Sequence, residues 1–308
     1  MSASNDVTII YVPETAYGTT PALGTWETAR FTSEGITATP LVNQSEEVRN
    51  DRMRGDQFKT SVDVTGNIDF ELSATTYDTL FELAMNATWA TNVLKIGKEN
   101  KSISIEKNYS DLTANHFIVF DGVRCSEMSL GFTHGEAVTG SFNFAGSDVT
   151  SASATASSGG TVNPATSNRV MNAVSDMTSL KIDGTAFSGC LSSVDFTINN
   201  NLRPAKCIGQ DYPQDQFLGT ADVTGSIEAY LSDTTVQWYT DKVINQTAME
   251  IEFTLSDGTN TYTFHFPNCR ISGDTPSAEG LDTDVMISAE FTALYDATEA
   301  SSLVITRT

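Results

Sequence analysis

The chain has 308 residues and a formal net charge of −22, from 39 acidic and 17 basic residues. This acidic excess argues against a nucleic-acid-binding protein, because such proteins gain affinity when Lys and Arg displace counterions from phosphates. A charge of this size also keeps a protein soluble without any specific role. The sequence has no apolar run that could span a bilayer and no basic start followed by an apolar core, so we expect neither a membrane segment nor a secretory signal.

The composition favours β-structure, because Gly, Ser and Thr are abundant and charged residues are few. Up to about Thr25 the chain has little periodicity and carries several Pro and Gly residues, which predicts an arm that lies on its own domain or on a neighbour. Two short strands follow at residues 29–33 and 36–42. Residues 43–59 are polar and predict a loop that is longer than a hairpin needs.

One stretch of sequence occurs twice. Residues 57–76 read QFKTSVDVTGNIDFELSATT and residues 216–235 read QFLGTADVTGSIEAYLSDTT, with about half of the positions identical. Each copy alternates apolar and polar residues, which predicts a half-buried strand. The predicted buried sides are Val64, Gly66, Ile68, Phe70 and Leu72 in the first copy, and Val223, Gly225, Ile227, Ala229 and Leu231 in the second.

A short helix is predicted after each of these strands. Thr75 with Asp78, and Thr234 with Gln237, have the spacing of a capping box. The expected apolar stripes are Tyr77, Leu80, Phe81 and Ala84 in the first helix, and Val236, Tyr239, Val243 and Ile244 in the second.

The repeat predicts two domains, at residues 1–146 and 169–308, joined by a Ser, Ala and Gly-rich linker at residues 147–168. Turns are expected at Asp121-Gly122, at residues 134–136 and at Asp257-Gly258. The remaining strands are predicted at residues 93–96, 102–107, 117–120, 124–133, 137–145, 179–182, 191–198, 250–255, 262–266, 268–272 and 284–294.

Residues that would carry out catalysis or bind a metal are sparse. The three histidines, His116, His134 and His265, are not at ligand spacing, and no phosphate-binding, nucleophile-elbow or calcium-loop motif occurs. Carboxylates are numerous enough to hide a glycosidase pair, but we expect no enzyme, no cofactor and no metal. The cysteines, which have no CxxC spacing, are expected to be free thiols in a reducing cytoplasm. They are Cys125, Cys190, Cys207 and Cys269.

The loop at residues 43–59 contains the one dense basic cluster, which is interleaved with acids. Such a loop is either a solvated surface or a contact with another subunit that provides register and specificity. The same two interpretations apply to its counterpart at residues 199–217. The candidate inter-subunit residues are Arg49, Asp51, Arg52, Arg54, Asp211 and Asp215.

Several phrases, in this order, resemble the tail tube proteins of long-tailed bacteriophages: EVRNDR, VTGNIDFELS, MNATW, VMNAVSD, INNNLR and EFTALYDA. The resemblance implies β-sandwich or half-barrel tube domains, each with a flanking helix, in rings that stack into a hollow tube conducting DNA during infection. It also implies a virion protein that is assembled in the host cytoplasm and meets tape measure, tail terminator and baseplate proteins. Because this chain carries two copies, three chains could supply six domains to one ring.

If the polar faces of the long strands line the bore, their carboxylates would repel passing DNA, which is therefore not bound specifically. The candidate lumen-facing residues are Asp63, Asp69, Glu71, Asp222, Glu228 and Glu290. Tandem β-sandwiches also occur in adhesins and receptor-binding proteins, so a binding module is the alternative function.

Overall fold

A computed structural model describes residues 6–112, 114, 116–278 and 280–308, so residues 1–5 of the expected arm lie outside the described residues. The protein is mainly β, as predicted. Its strands are β1 (Val7–Pro13), β2 (Thr25–Thr28), β3 (Ser33–Glu34), β4 (Thr37–Gln44), β5 (Gln57–Glu71), β6 (Val93–Lys95), β7 (Ile103–Tyr109), β8 (Phe117–Thr133), β9 (Thr139–Gly146), β10 (Asp148–Ala152), β11 (Thr161–Asn163), β12 (Met177–Ile182), β13 (Thr185–Ala186), β14 (Leu191–Asn199), β15 (Arg203–Pro204), β16 (Gln216–Phe217), β17 (Asp222–Tyr230), β18 (Met249–Ser256), β19 (Thr261–Ser272), β20 (Met286–Ala293) and β21 (Val304–Arg307).

The repeated stretches form β5 and β17, and the predicted apolar side chains are buried with one exception. Ile68 and Phe70 in β5 and Ile227 and Ala229 in β17 are each 1% exposed or less, whereas Leu231 is 38% exposed. Leu231 and its counterpart Leu72 both lie one residue beyond the end of their strands, yet Leu72 is fully buried, so alternation does not decide burial at the strand ends. Gly66 and Gly225 are partly exposed.

One sheet runs through the molecule, with its strands hydrogen-bonded in the order β4, β5, β9, β8, β14, β17, β20 and β19. All of these neighbours are antiparallel. The link between β8 and β14 connects strands from the two halves of the sequence, so that one continuous sheet extends across both.

Two further series pack behind this sheet. In the N-terminal half the order is β2, β1, β7, β8 and β10, and in the C-terminal half it is β13, β12, β18, β19 and β21. β8 and β19 belong to both layers, since the first part of each pairs in one layer and the last part in the other. In addition, β11 pairs with β2 and β6 pairs with β21.

One predicted turn, and one predicted break between two strands, instead lie inside continuous strands. Asp121-Gly122 does not turn the chain. Gly122 has a φ of +63° inside β8, where the strand passes from one layer to the other. β19 likewise runs through Pro267, whose missing N–H coincides with a register shift against β18. The turns at residues 134–136 and at Asp257-Gly258 are confirmed.

The predicted capping boxes are wrong. The first helix, α1 (Asp78–Met85), begins after Tyr77 without a side-chain cap, and Asn86 ends it in the left-handed conformation. The second is a π-helix (Trp238–Ile244), which also lacks a side-chain cap. The stripe of α1 is buried as expected, but the second stripe is not: Val236 is 44% and Ile244 60% exposed.

The predicted loops and linker contain more regular structure than expected. β4 and β5 stay paired out to Gln44 and Gln57, so the first loop shrinks to residues 45–56. The second contains the short β15–β16 hairpin. Within residues 147–168, β10 and β11 each join a sheet, because a Ser- and Thr-rich segment can still pair along its backbone. The N-terminal arm likewise holds β1, which pairs with β7 of its own chain.

A single large apolar cluster spans both halves of the chain, and a small one around Trp26 lies beside it. Of the other tryptophans, Trp238 is buried and packs on Phe187, with 5.4 Å between ring centroids, and Trp89 is partly buried. None of the helices in the described part of the chain is long and apolar enough to cross a membrane.

Candidate functional site: a polar sheet face and the junction between the halves

The face of the continuous sheet that points away from the apolar core is polar from strand to strand. Cross-strand partners form rows, such as Asp69, Ser141, Ser129, Thr197, Thr224 and Thr292. A second row contains Glu71, Thr139, Gly131, Asp195, Ser226 and Glu290, and a third contains Asn67, Asn143, Glu127, Asn199 and Asp222. Apart from Gly131, the side chains of these rows are carboxylates, hydroxyls and amides. In β19 the first row continues with Arg270, which is opposite Thr292.

All six predicted lumen residues lie on this face. Asp63 is the partner of Thr39, and Glu228 is the partner of Ser193 and Ser288. Asp222 and Glu290 are exposed. Glu127 and Asp195 also lie on this face but were not among the predicted residues. Their strands alternate in the same way, so the period-2 signal could have found them.

Neutral donors hold several of these carboxylates. Burial alone would raise the pKa of Asp69, but hydrogen bonds from Ser141, Ser33 and Asn67 outweigh it and hold that pKa below its usual range. Ser226 donates to Asp195, and Asn143 and Asn199 each donate to Glu127, at 3.1 and 3.2 Å. These donors carry no charge, so they leave the negative charge of the carboxylates uncompensated.

Two lysines near this face are paired with acids. Lys206 Nζ is 2.8 Å from Asp63 Oδ1, and Lys59 Nζ is 2.6 Å from Asp211 Oδ2. The hydrogen bond from Lys59 holds the pKa of Asp211 below its ordinary value. Each of these lysines is therefore neutralised by an acid.

The junction between the halves has an aromatic core. Residues Glu127–Thr133 of β8 pair with residues Ser193–Asn199 of β14. Phe132 of β8 lies 4.8 Å from Phe253 and 6.4 Å from Phe196, measured between ring centroids. All three rings are buried, so this junction is built like a domain core.

A buried arginine closes one end of the junction. Arg124, in β8, is 2% exposed, and its Nη2 lies 2.9 Å from Asp215 Oδ1. Its Nη1 donates to the carbonyl oxygen of Gln216, and its guanidinium stacks on Tyr17 at 4.8 Å. Ser147 and Val62 donate to the carbonyls of Pro213 and Asp211. The loop at residues 205–215 is thereby bound to the N-terminal half of its own chain.

The structure thus separates the candidate loop residues into two groups. Asp211 and Asp215 contact Lys59 and Arg124 within the chain. The residues around Arg49 lie on the exposed loop 45–56, where Arg49 Nη2 is 2.7 Å from Asp51 Oδ2 and lowers the pKa of Asp51. Arg52 and Arg54 are exposed on this loop, as are Val48 and Met53.

A second polar cluster was not anticipated from the sequence. Glu250, Glu252 and His265 place their ligand atoms within 4.8 Å of one another, because Glu252 and His265 are cross-strand partners. His265 Nε2 is 2.9 Å from Glu250 Oε1, and Lys181 Nζ is 2.6 Å from Glu252 Oε1. Because Lys181 already supplies a cation, the cluster satisfies itself with one ion pair, Lys181–Glu252, and one hydrogen bond, between His265 and Glu250.

Comparison with protein families matches residues 4–293 of the chain to the family described as phage tail tube protein. The chain belongs to the phage tail tube protein family. A comparison with curated proteins finds no match. As a tail tube protein, the chain is a structural part of the virion tail, and its family assembles into a tube with other tail proteins. The polar sheet face suits this structural role.

Proposed function

We propose that this tail tube protein forms rings in which the polar sheet face lines the lumen, and that the stacked rings conduct DNA during infection. The observation that carries the proposal is the continuous eight-strand sheet, whose outward face holds carboxylates, hydroxyls and amides across both halves. A sheet that is buried on one side and polar on the other suits the wall of a water-filled bore.

The proposed lumen works by repulsion. A cationic residue on each subunit would be multiplied around every ring and would hold the duplex through counterion release. Asp69, Glu71 and Glu290 instead present negative charge on the face, and the donors around Asp69 keep it ionised. DNA would therefore slide through without binding at any position.

The proposed ring contains three chains and six similar units. Two units are supported by the identical pairing order in the two halves: β4, β5, β9, β8, β7, β1 and β2 correspond to β14, β17, β20, β19, β18, β12 and β13. We place the units at residues 1–146 and 169–308, with the connection at 147–168. Three such chains would give pseudo-sixfold symmetry.

The proposed partners are further copies of the chain, the tape measure protein inside the tube, and the terminator and baseplate proteins at its ends. Assembly would take place in the bacterial cytoplasm. The loop at residues 45–56 is proposed to contact another subunit, since it exposes Val48 and Met53 beside Arg49, Arg52 and Arg54.

The test combines electron microscopy with a charge reversal in the lumen. The purified chain should form stacked rings or hollow filaments, and Asp69→Lys/Glu228→Lys tubes should retain DNA and eject it more slowly, with the delay relieved by salt. Asp69→Asn/Glu228→Gln and the off-face variant Glu99→Lys are the controls and should eject at close to the normal rate.

Two outcomes would contradict the proposal. Normal ejection through Asp69→Lys/Glu228→Lys tubes would show that these residues do not line the path of the DNA. A chain that stays monomeric under all assembly conditions would favour the tandem binding module.

A further inference from the structure

The C-terminal half contains an arginine that resembles Arg124 but lacks its partners. Arg270 of β19 and Arg124 of β8 occupy the same register position, because Arg270 is opposite Thr292 and Arg124 is opposite Ala145 in equivalent strands. Arg124 binds Asp215 and Gln216. Arg270 Nη1 is buried and has no hydrogen-bond partner among the described residues. A buried donor without a partner is costly, so the site is incomplete in a single chain.

The N-terminal half contains a segment that resembles the partner of Arg124. Ser33–Thr39 pair with β5 in the register in which Ser193–Asn199 pair with β17. Asp56 precedes β5 as Asp215 precedes β16, and each carboxylate accepts a bond from the next backbone N–H, at 2.7 and 2.8 Å. Asp56 forms no ion pair with the described residues, and the edge of β4 that points away from β5 pairs with no described strand.

We propose that Asp56 of one copy forms an ion pair with Arg270 of the next copy. In the same contact, Thr37–Thr39 of the first copy pair with the segment from Ser272 to Asp274 of the second and so extend the sheet of the second copy. This inference rests on the proposed ring and names the surfaces that close it. At the junction between the two halves of one chain, here called the inner junction, Asn199 lies opposite Glu127. Thr39 is equivalent to Asn199, and Ser272 is equivalent to Glu127, so the same register places Thr39 opposite Ser272. The partner is a second copy of this chain, bound head to tail.

The acceptor segment leaves the sheet in the single chain. Beyond Ser272, residues 273–277 do not continue the pairing with β20, and a groove of about 700 Å³ separates them from Glu228, Ser288 and Glu290. In β8 the equivalent residues are in a strand and hold β14. We therefore expect residues 272–274 to form strand pairs when the neighbour's edge arrives.

Three differences make the proposed contact between copies, here called the outer junction, shorter and more polar than the inner junction. Pro40 is the equivalent of Asn200, whose backbone N–H donates to the carbonyl of Ser126 at the inner junction. Because proline has no N–H, backbone pairing at the outer junction ends at Thr39. The N–H and carbonyl of Ile36 are already bound by Glu34 and Lys107. Ser277 stands where β8 has Phe132. A contact without the aromatic core can form between soluble chains and can be corrected during assembly.

The pairing register can be tested by disulfide formation in the full chain. In a Cys190→Ser/Cys207→Ser background, which removes the exposed native thiols, Thr39→Cys/Ser272→Cys should cross-link neighbouring copies during assembly. The equivalent pair at the inner junction, Asn199 and Glu127, is a non-hydrogen-bonded pair. The Cα atoms of residues 39 and 272 should therefore be about 4.5 Å apart, within disulfide range.

Two cysteine pairs serve as controls. Thr37→Cys/Ser272→Cys is two residues out of register and should give about tenfold less cross-linked product. Glu127→Cys/Asn199→Cys places the same geometry inside one chain and should form an intramolecular disulfide even in the monomer.

A charge swap tests the ion pair. Arg270→Glu should lower the yield of rings at least about tenfold, because the introduced carboxylate would face Asp56 across the contact. Adding Asp56→Arg to the same chain should restore most of the yield, since the pair is then re-formed with opposite polarity. The surface control Lys98→Glu, at an exposed position outside the proposed contact, should leave the yield of rings close to normal and should not be changed by adding Asp56→Arg.

The outcomes separate this inference from the proposed function. Tubes that form with no enrichment of the Thr39–Ser272 cross-link over the offset pair, or with no rescue of Arg270→Glu, would overturn the junction and leave the tube intact. Failure of the unmodified chain to form any ring would overturn the proposed function itself.

Discussion

The inner junction and the open ends of the chain contrast at equivalent positions. At the inner junction β14 is paired with β8, Arg124 is bound on two sides, and the aromatic rings are buried. At the open ends the outer edge of β4 has no described partner strand and Arg270 Nη1 is unpaired among the described residues. The same strand pattern is thus paired once inside the chain, and its second copy ends at edges that pair with no described strand.

The helices differ in the same way. α1 buries five residues and its Asp78 binds Arg307 and Tyr262 of the C-terminal half. The π-helix buries only Trp238 among its described residues. The first helix thus contacts the second half of its own chain through Asp78, whereas the second helix is more exposed among the described residues.

The largest expected effect comes from the aromatic core of the inner junction. Phe132→Ala should lower the free energy of unfolding of the unassembled chain by about 3–5 kcal/mol, because it leaves a cavity beside Phe196 and Phe253. Urea denaturation followed by fluorescence measures this. Phe132→Leu should cost less than about 1.5 kcal/mol, and Ser277→Ala, at the equivalent outer position, about 0.5 kcal/mol or less. Equal costs for Phe132→Ala and Ser277→Ala would remove the distinction between the junctions.

A smaller effect should distinguish the two acids that precede equivalent strands. Asp215→Asn leaves the buried Arg124 without its charge partner, and should cost about 2–3 kcal/mol of folding stability, below the usual cost of breaking a buried pair because Asp215 is 31% exposed. Asp56→Asn should change the stability of the free chain by about 0.5 kcal/mol or less. The same denaturation series measures both variants, and a large loss for Asp56→Asn would mean that it already has a partner within the chain.

The smallest effect is a pH dependence at a third equivalent pair of positions, Asp6 and Asp176, whose carbonyls accept bonds from Ser110 and Ser256. The hydrogen bond from Arg169 is the main cause that holds the pKa of Asp176 below its ordinary value of 3.8. Because the folded pKa is depressed, this stabilisation is complete above the unfolded pKa and is lost as pH falls through the folded value.

Asp176→Asn should therefore lower the urea midpoint at pH 7 and flatten its decline between about pH 5 and pH 2. Asp6→Asn, which removes no ion pair recorded in the structure, is the control and should move the midpoint at pH 7 less. An unchanged slope in Asp176→Asn would show that other carboxylates dominate the acid transition.

The strands with strict alternation were predictable, and so was the face that carries the site. Asp69 and Glu228 follow from the period-2 pattern of β5 and β17 alone, because backbone geometry sends successive side chains to opposite sides. The pairing of Arg124 with Asp215 was not predictable, since 91 positions of sequence separate residues that only the β8–β14 contact brings together. The continuity of β8 through Gly122 was also missed, because a Gly that bends a strand has the same local signature as a turn.

The amino-acid sequence by itself determined that the protein is mainly β, that one strand-and-helix stretch is used twice, and which side of each long strand is polar, because these properties depend on local periodicity. Only the tertiary structure decided that the two long strands belong to one continuous sheet, that Arg124 has an ion pair while the equivalent Arg270 has none among the described residues, and which helix is more deeply buried. Those outcomes depend on which surfaces meet, and the free energy of burial is set by contacts between residues far apart in the chain.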